Sequence, residues 1–261
     1  MYWILLGLSV YLILCFILYR IQERFLFHPE KLEENFEFKY QDSDVEELFF
    51  GPKEGVSING LHFKCANSKG LILYFHGNTR SIKGWGKFAT DFTQFGWEVM
   101  MIDYRGFGKS IGKRSEHGIK NDAQFIYNEI TRTFPESKII LYGRSMGTGF
   151  AAKLASNNNP LMLILEAPYY SLLDTGKRYL FFIPLSFFMR YTIRTYRWMP
   201  YVSCPVVIIH GSNDWLVPWR SGKRLAEIRP DHTRFMLVKG AGHNTLRYFD
   251  RYHEILKELL R

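Results

Sequence analysis

Ser145 stands in the run Gly143-Arg144-Ser145-Met146-Gly147, directly after the apolar stretch Ile139–Tyr142 and before a helix-like stretch from Met146. A serine hydroxyl is a poor nucleophile near neutral pH and needs a general base, which in turn needs an acid to orient it. The pattern G-x-S-x-G between a strand and a helix places such a serine on a sharp turn, where only small side chains fit two residues before and two residues after it. Gly143 and Gly147 meet that demand, and Gly149 allows further close packing. The start of the following helix offers free N–H groups to a developing oxyanion.

In this setting the partners follow in the order serine, acid, histidine. His243 lies in Gly240-Ala241-Gly242-His243-Asn244, a loop of small residues after the last apolar run, and is the candidate base. Asp214, in Gly211-Ser212-Asn213-Asp214 after the run ending at His210, is the candidate acid. Its rivals are Glu166, Asp174 and Asp103, and an Asx-turn or helix-cap role is the plain alternative. Met146 supplies one candidate oxyanion N–H and Asn78, in Tyr74-Phe75-His76-Gly77-Asn78, the other. His76 and His210 each close an apolar run and read as structural.

The elements that must position these residues alternate between strand and helix. Strands are expected at Leu48–Phe50 with Leu61–Cys65, then Leu71–Phe75, Val99–Tyr104, Ile139–Tyr142, Leu161–Leu165, Val206–His210 and Arg234–Val238. Helices are expected at Ile82–Phe95, Ser115–Thr133, Met146–Asn157, Trp219–Ile228 and Leu246–Leu260. The later strands are continuous apolar runs, as suits a mostly parallel sheet covered on both faces. The alternation implies an α/β class with a doubly wound sheet.

Between Asp174 and Pro200 a segment rich in Phe, Tyr and Arg interrupts the rhythm. An insertion there would cap the carboxyl ends of the strands, where open α/β sheets bind ligands. Arg190, Arg194 and Arg197 have the spacing of one helix face, and a face that is both basic and aromatic suits a membrane interface. The alternative is an ordinary cap with solvated arginines.

Trp3 to Tyr19 contains no charged residue. At ~1.5 Å per residue this run reaches ~26 Å, close to a ~30 Å hydrocarbon core. It lacks the basic start and small-x-small site of a cleaved signal, so a single-pass membrane anchor is expected, with a buried core helix as the alternative. Arg20, Arg24, Lys31 and Lys39 follow it and favour a cytoplasmic position for the rest of the chain. The expected organisation is an anchor over 1–20, a connector over 21–47 and one catalytic domain over 48–261, with the cap at 174–200. The 261 residues are within the reach of a single α/β domain of ~250.

The net charge is +9, from 34 basic and 25 acidic residues. Such an excess favours anionic surfaces, but no motif or long basic stripe points to nucleic acid. Three cysteines, Cys15, Cys65 and Cys204, form neither a CxxC nor a metal spacing, and reduced thiols are expected.

Taken as a set, His76–Asn78 (HGN), Asp103–Ser110 (DYRGFGKS), Gly143–Gly147 (GRSMG), Leu165–Ser171 (LEAPYYS), His210–Pro218 (HGSNDWLVP) and Gly240–Asn244 (GAGHN) resemble the α/β-hydrolase superfamily. The likeness extends to its small membrane-anchored branch of serine aminopeptidase or lysophospholipase-like proteins, which Arg24–Pro29 (RFLFHP) after the anchor also resembles. These motifs run in family order from Leu48 to Arg261. The resemblance implies an α/β-hydrolase fold and serine catalysis without a metal or organic cofactor. The expected activity is hydrolysis of an acyl ester or thioester at the membrane, through an acyl-enzyme on Ser145. A serine peptidase of the same fold and a non-catalytic anchored scaffold are the alternatives.

Overall fold

The computed structural model describes residues 2–41 and 43–261. Met1 of the expected anchor and Asp42 of the expected connector lie outside the described residues.

Eight strands form one sheet: β1 (Asp44–Lys53), β2 (Val56–Lys64), β3 (Gly70–Phe75), β4 (Trp97–Ile102), β5 (Ile139–Arg144), β6 (Met162–Glu166), β7 (Val206–Gly211) and β8 (Thr233–Val238). Their spatial order is β8-β7-β6-β5-β3-β4-β2-β1. Strands β3 to β8 pair in parallel, while β2 runs antiparallel to both β1 and β4. Strands β3, β5, β6 and β7 are buried along almost their whole length, which explains why they read as continuous apolar runs.

Side chains alternate between the two faces of the sheet. Leu71, Leu73 and Phe75 of β3 join one core, with Ile126, Phe150 and Leu154 of the helices α2 (Glu116–Ile130) and α3 (Gly147–Ala155). Ile72 and Tyr74 join the other, with Phe92 and with Ile255 and Leu256 of the C-terminal helix. Helix α2 starts where the Ser115 hydroxyl accepts the Gly118 N–H at 3.0 Å, which satisfies one of the unpaired donors of the first turn.

The long helix expected over Ile82–Phe95 is instead three short turns, Ile82–Trp85, Gly86–Phe88 and Thr90–Thr93. The Tyr40 hydroxyl donates to the carbonyls of Ile82 and Lys83, which a continuing helix would use itself, and its ring occupies the space that a side chain at Gly86 would need. The expected helix over Leu246–Leu260 is likewise split: Phe249 is extended between a turn at Leu246–Tyr248 and the helix Asp250–Leu260.

The N-terminal helix α1 runs from Tyr2 to Leu26, past residue 20. It is long and apolar enough to cross a membrane by length and composition, and little of it is buried. Beyond it, His28–Pro29 pairs in parallel with Thr79–Arg80, beside the site described below. Strand β1 begins at Asp44, inside the stretch expected as connector.

The insertion lies between β6 and β7. It contains α4 (Leu172–Tyr179), which is capped by the Ser171 hydroxyl, and helical turns at Leu185–Phe188 and Thr195–Trp198. The Tyr179 hydroxyl donates to the carbonyls of Trp215 and Leu216, 3.0 Å away in both cases, which places this cap over the carboxyl end of β7. Arg190, Arg194 and Arg197 do not share a helix, contrary to their spacing. Glu116 accepts the N–H groups of Thr192 and Ile193 at 2.9 and 3.1 Å, so these donors are taken by a carboxylate and the segment stays irregular. Its β-branched pair and the positive φ of Ile193 agree with that.

Candidate active site

Ser145 follows β5 with φ of 50°, a left-handed conformation that a serine adopts only when its surroundings impose it. A Cβ on Gly143 would lie 2.6 Å from the Thr148 Cα, and one on Gly147 would run into the carbonyl oxygens of Phe75 and His76. The two glycines therefore let the turn close tightly against β3. The turn is held by the Ser145 N–H donating to the Glu166 carbonyl at 2.9 Å and by the Thr148 hydroxyl donating to the Ser145 carbonyl at 2.6 Å.

The structure brings Ser145, His243 and Asp214 together. His243 Nε2 is 2.8 Å from Ser145 Oγ, and His243 Nδ1 is 2.7 Å from Asp214 Oδ2. With Nδ1–H donating to the carboxylate, Nε2 presents its lone pair to the serine hydroxyl. The loop carrying His243 is tied to the loop carrying Asp214: the Asn213 N–H donates to the Ala241 carbonyl at 2.9 Å, and the Gly240 N–H to the Ser212 hydroxyl at 2.8 Å.

Asp214 is buried and fully engaged. Its Oδ1 accepts the Val217 N–H at 2.8 Å, and His210 Nε2 lies 3.3 Å from the same Oδ2 that faces His243. Burial alone would raise the carboxyl pKa. The bonds from His210 and His243, with the Val217 N–H, outweigh it and hold the group at about 2. The contact from His210 escapes the sequence reading, although His210 and Asp214 sit four residues apart at a strand end. His210 also reaches the Val217 carbonyl at 2.8 Å, so one N–H is shared between two acceptors.

The rival acids are occupied elsewhere. Glu166 accepts from Arg144 Nε at 2.8 Å and from the Tyr142 hydroxyl at 2.5 Å. Asp174 meets Arg224 at 3.3 Å near the surface. Asp103 faces His76 Nε2 at 3.1 Å and accepts the Ile82 N–H at 3.0 Å. Burial pushes the Asp103 carboxyl up, against the pull of His76. His76 is wholly buried, with Nδ1 2.6 Å from the Gly77 carbonyl, so this pair braces the turn beneath Gly77 and Asn78.

Among the described residues the backbone N–H groups of Asn78 and Met146 donate to no acceptor. Both residues are otherwise pinned. Asn78 Nδ2 donates to the Leu26 carbonyl at 2.9 Å, the Asn78 carbonyl accepts from the His28 N–H, and the Met146 carbonyl accepts from the buried Tyr169 hydroxyl at 2.8 Å. The end of α1 is thus bonded to the turn that carries Asn78. Beside Arg144 and Asn244 opens a polar pocket of about 280 Å³, whose walls include Arg80, Trp85, Lys87 and Arg247.

A sequence model of the family described as serine aminopeptidase, S33 (Hydrolase_4) matches residues 66–184. The *Pyrococcus furiosus* esterase Pf2001 superimposes with a TM-score of 0.71 over 90% of this chain and 96% of its own, at 20% identity. The chain has the α/β-hydrolase fold. The chain is 30% identical over 225 residues to the lysophosphatidylserine lipase ABHD12 of Danio rerio, covering 69% of the present chain and 58% of the relative. It is 29% identical to the alpha/beta hydrolase domain-containing protein 17C of *Xenopus tropicalis*, over 87% and 73% of the two chains. The chain spans less than three-fifths of the length of the ABHD12 relatives from *Danio rerio* and *Xenopus tropicalis*.

Proposed function

We propose that this chain is a membrane-anchored serine hydrolase that cleaves carboxylic esters or thioesters of acyl chains through an acyl-enzyme on Ser145. The observation that carries the reading is the continuous line Asp214–His243–Ser145, with contacts of 2.7 and 2.8 Å, ending on a serine in a strained turn. His243 Nε2 takes the hydroxyl proton as Oγ bonds to the acyl carbonyl carbon. The carbonyl oxygen, now negative, is met by the N–H groups of Asn78 and Met146. Asp214 stabilises the imidazolium without taking its proton. Collapse breaks the bond to the leaving alcohol or thiol, which departs with the proton from His243. Water then attacks the acyl-enzyme by the same route, and the free acid leaves.

The names of the relatives, a lipase and an esterase, support an ester substrate. Anchoring by α1 is part of the proposal and rests on its length, its composition and its exposed apolar surface. The basic residues that follow it favour a cytoplasmic catalytic domain. In the polar pocket Arg144 is paired with Glu166 and Arg247 with Asp91, so its positive character rests on Arg80 and Lys87, which suit an anionic part of the substrate.

The serine aminopeptidase description of the matching family favours a second reading, a peptidase. A free α-amino group calls for a carboxylate, and the one acid within the cap, Asp174, already faces Arg224. The two readings separate when the full chain is given matched acyl esters and aminoacyl amides. Ester turnover without amide turnover is expected, and preferential cleavage of amides bearing a free amine would overturn the ester assignment.

A further inference from the structure

The cap contains a second apolar element besides α1. Residues 180–189 (LFFIPLSFFM) carry no charge, and Lys177, Arg178 and Arg190 flank them. Phe181 and Phe187 are 83% and 85% exposed, although three kinds of contact fix this segment firmly against α1. The Tyr11 hydroxyl donates to the Phe182 carbonyl at 3.0 Å. Gln22 donates to the Phe188 carbonyl at 3.1 Å and accepts the Arg190 N–H at 2.8 Å. Arg190 also pairs with Glu23 at 2.6 Å. Cys15, Ile183 and Leu185 are buried between the two elements.

These contacts set a depth. Arg20 is the first charged residue of α1, and Tyr11 lies nine residues before it, about 13 Å along the axis at ~1.5 Å per residue. One leaflet contributes ~15 Å of hydrocarbon. If α1 spans the bilayer, the Phe182 end of the cap is therefore carried into the same leaflet. Arg190 lies level with Gln22 and Glu23, at the charged end of α1. Irregular backbone is tolerated at such depth only where protein satisfies it, and Tyr11 and Gln22 do this for Phe182, Phe188 and Arg190.

Between the two elements lies an apolar groove of about 120 Å³, lined by Leu18, Phe25 and Leu26 of α1 and by Leu180, Phe188 and Met189 of the cap. Leu26 is one of its walls, and the Leu26 carbonyl accepts from the Asn78 side chain. One wall residue of the groove is thus bonded to the turn proposed to bind the oxyanion.

We propose that residues 180–189 dip into the leaflet beside α1, and that the groove between them is the port through which an acyl chain moves from the bilayer towards Ser145. The port rests on the hydrolase reading for its purpose but not for its occupancy. An acyl chain suits it because the walls are apolar, one wall is the anchor itself, and the exposed Phe181 and Phe187 of the same cap segment would lie in hydrocarbon.

Two measurements on the full chain in phosphatidylcholine–phosphatidylglycerol vesicles test this. A monoacyl ester with a diazirine at the chain terminus is photolysed and its adducts mapped by peptide mass spectrometry. Adducts are expected in Leu18–Leu26 and Gly176–Met189. Adducts confined to the polar pocket, at Phe88 and Tyr248, would overturn the port. Secondly, a Cβ at Gly176 would lie 3.2 Å from Leu185 Cδ1 and 3.5 Å from Met189 Sδ, so Gly176→Leu intrudes on the groove. The ratio of palmitoyl-ester to butyryl-ester turnover should fall roughly tenfold or more in this variant, and an unchanged ratio would count against the port. Groove adducts in a wild-type chain that cleaves neither ester would sustain the port and sink the hydrolase reading.

Discussion

At the scale of single residues, Asp214 is the most constrained member of the candidate triad, because two histidines and a backbone N–H converge on one buried carboxylate. Asp214→Asn keeps the shape but presents an amide to His243 Nδ1, which favours the wrong tautomer. Ester turnover should fall by about 10⁴-fold, as steady-state kinetics would show, and a loss under tenfold would contradict the role proposed for Asp214. The carboxylate also links stability to pH. Its pKa, depressed to about 2 in the folded chain, lies below the unfolded value of ~3.9, so its contribution is fully present above pH ~4 and is lost as the pH falls towards 2. That contribution is on the order of 2 kcal/mol. Denaturant titrations of wild type and Asp214→Asn should differ by a constant amount above pH ~4 and converge in acid. The convergence of Ser145, Asp214 and His243 was legible because each follows an apolar run and sits among small residues. The contact from His210 was not, since a histidine that ends a buried strand reads alike whether it meets a carbonyl or the acid.

At the scale of elements, the loop after β4 is fixed to α2 by a buried bidentate pair, with Arg105 Nε and Nη2 each 2.6 Å from Asp122. The same loop carries Asp103 to His76, so the pair helps to hold the turn at Asn78. Arg105→Lys keeps a charge but loses the planar fork, and Arg105→Ala leaves Asp122 buried and unpaired. Thermal and denaturant unfolding should show the alanine variant destabilised by about 3–5 kcal/mol, with the lysine variant between it and wild type. A lysine variant as stable as wild type would show that the fork geometry is unimportant. Parallel strands were readable because burial on both faces makes them continuously apolar. The short turns at Ile82–Thr93 and the irregular stretch around Arg194 were not, because Tyr40 and Glu116, distant in sequence, take the groups a helix would need.

At the scale of the whole molecule, α1 is bonded to the rest of the fold at the cap and at the Asn78 turn. A charge on the outward face of α1 tests the anchor separately from the site. Leu12 is more than half exposed, and Leu12→Arg places a cation where insertion costs about 2.5–3.5 kcal/mol. The variant should shift from the carbonate-resistant membrane fraction to the soluble or aggregated one. Unchanged fractionation would contradict a spanning α1. The central claim, that Ser145 is the nucleophile, is tested most directly by treating the full chain with a fluorophosphonate and mapping the adduct by mass spectrometry. One adduct per chain, on Ser145 and absent from Ser145→Ala, is the expected result. An unlabelled wild type, or equal labelling of the alanine variant, would contradict it.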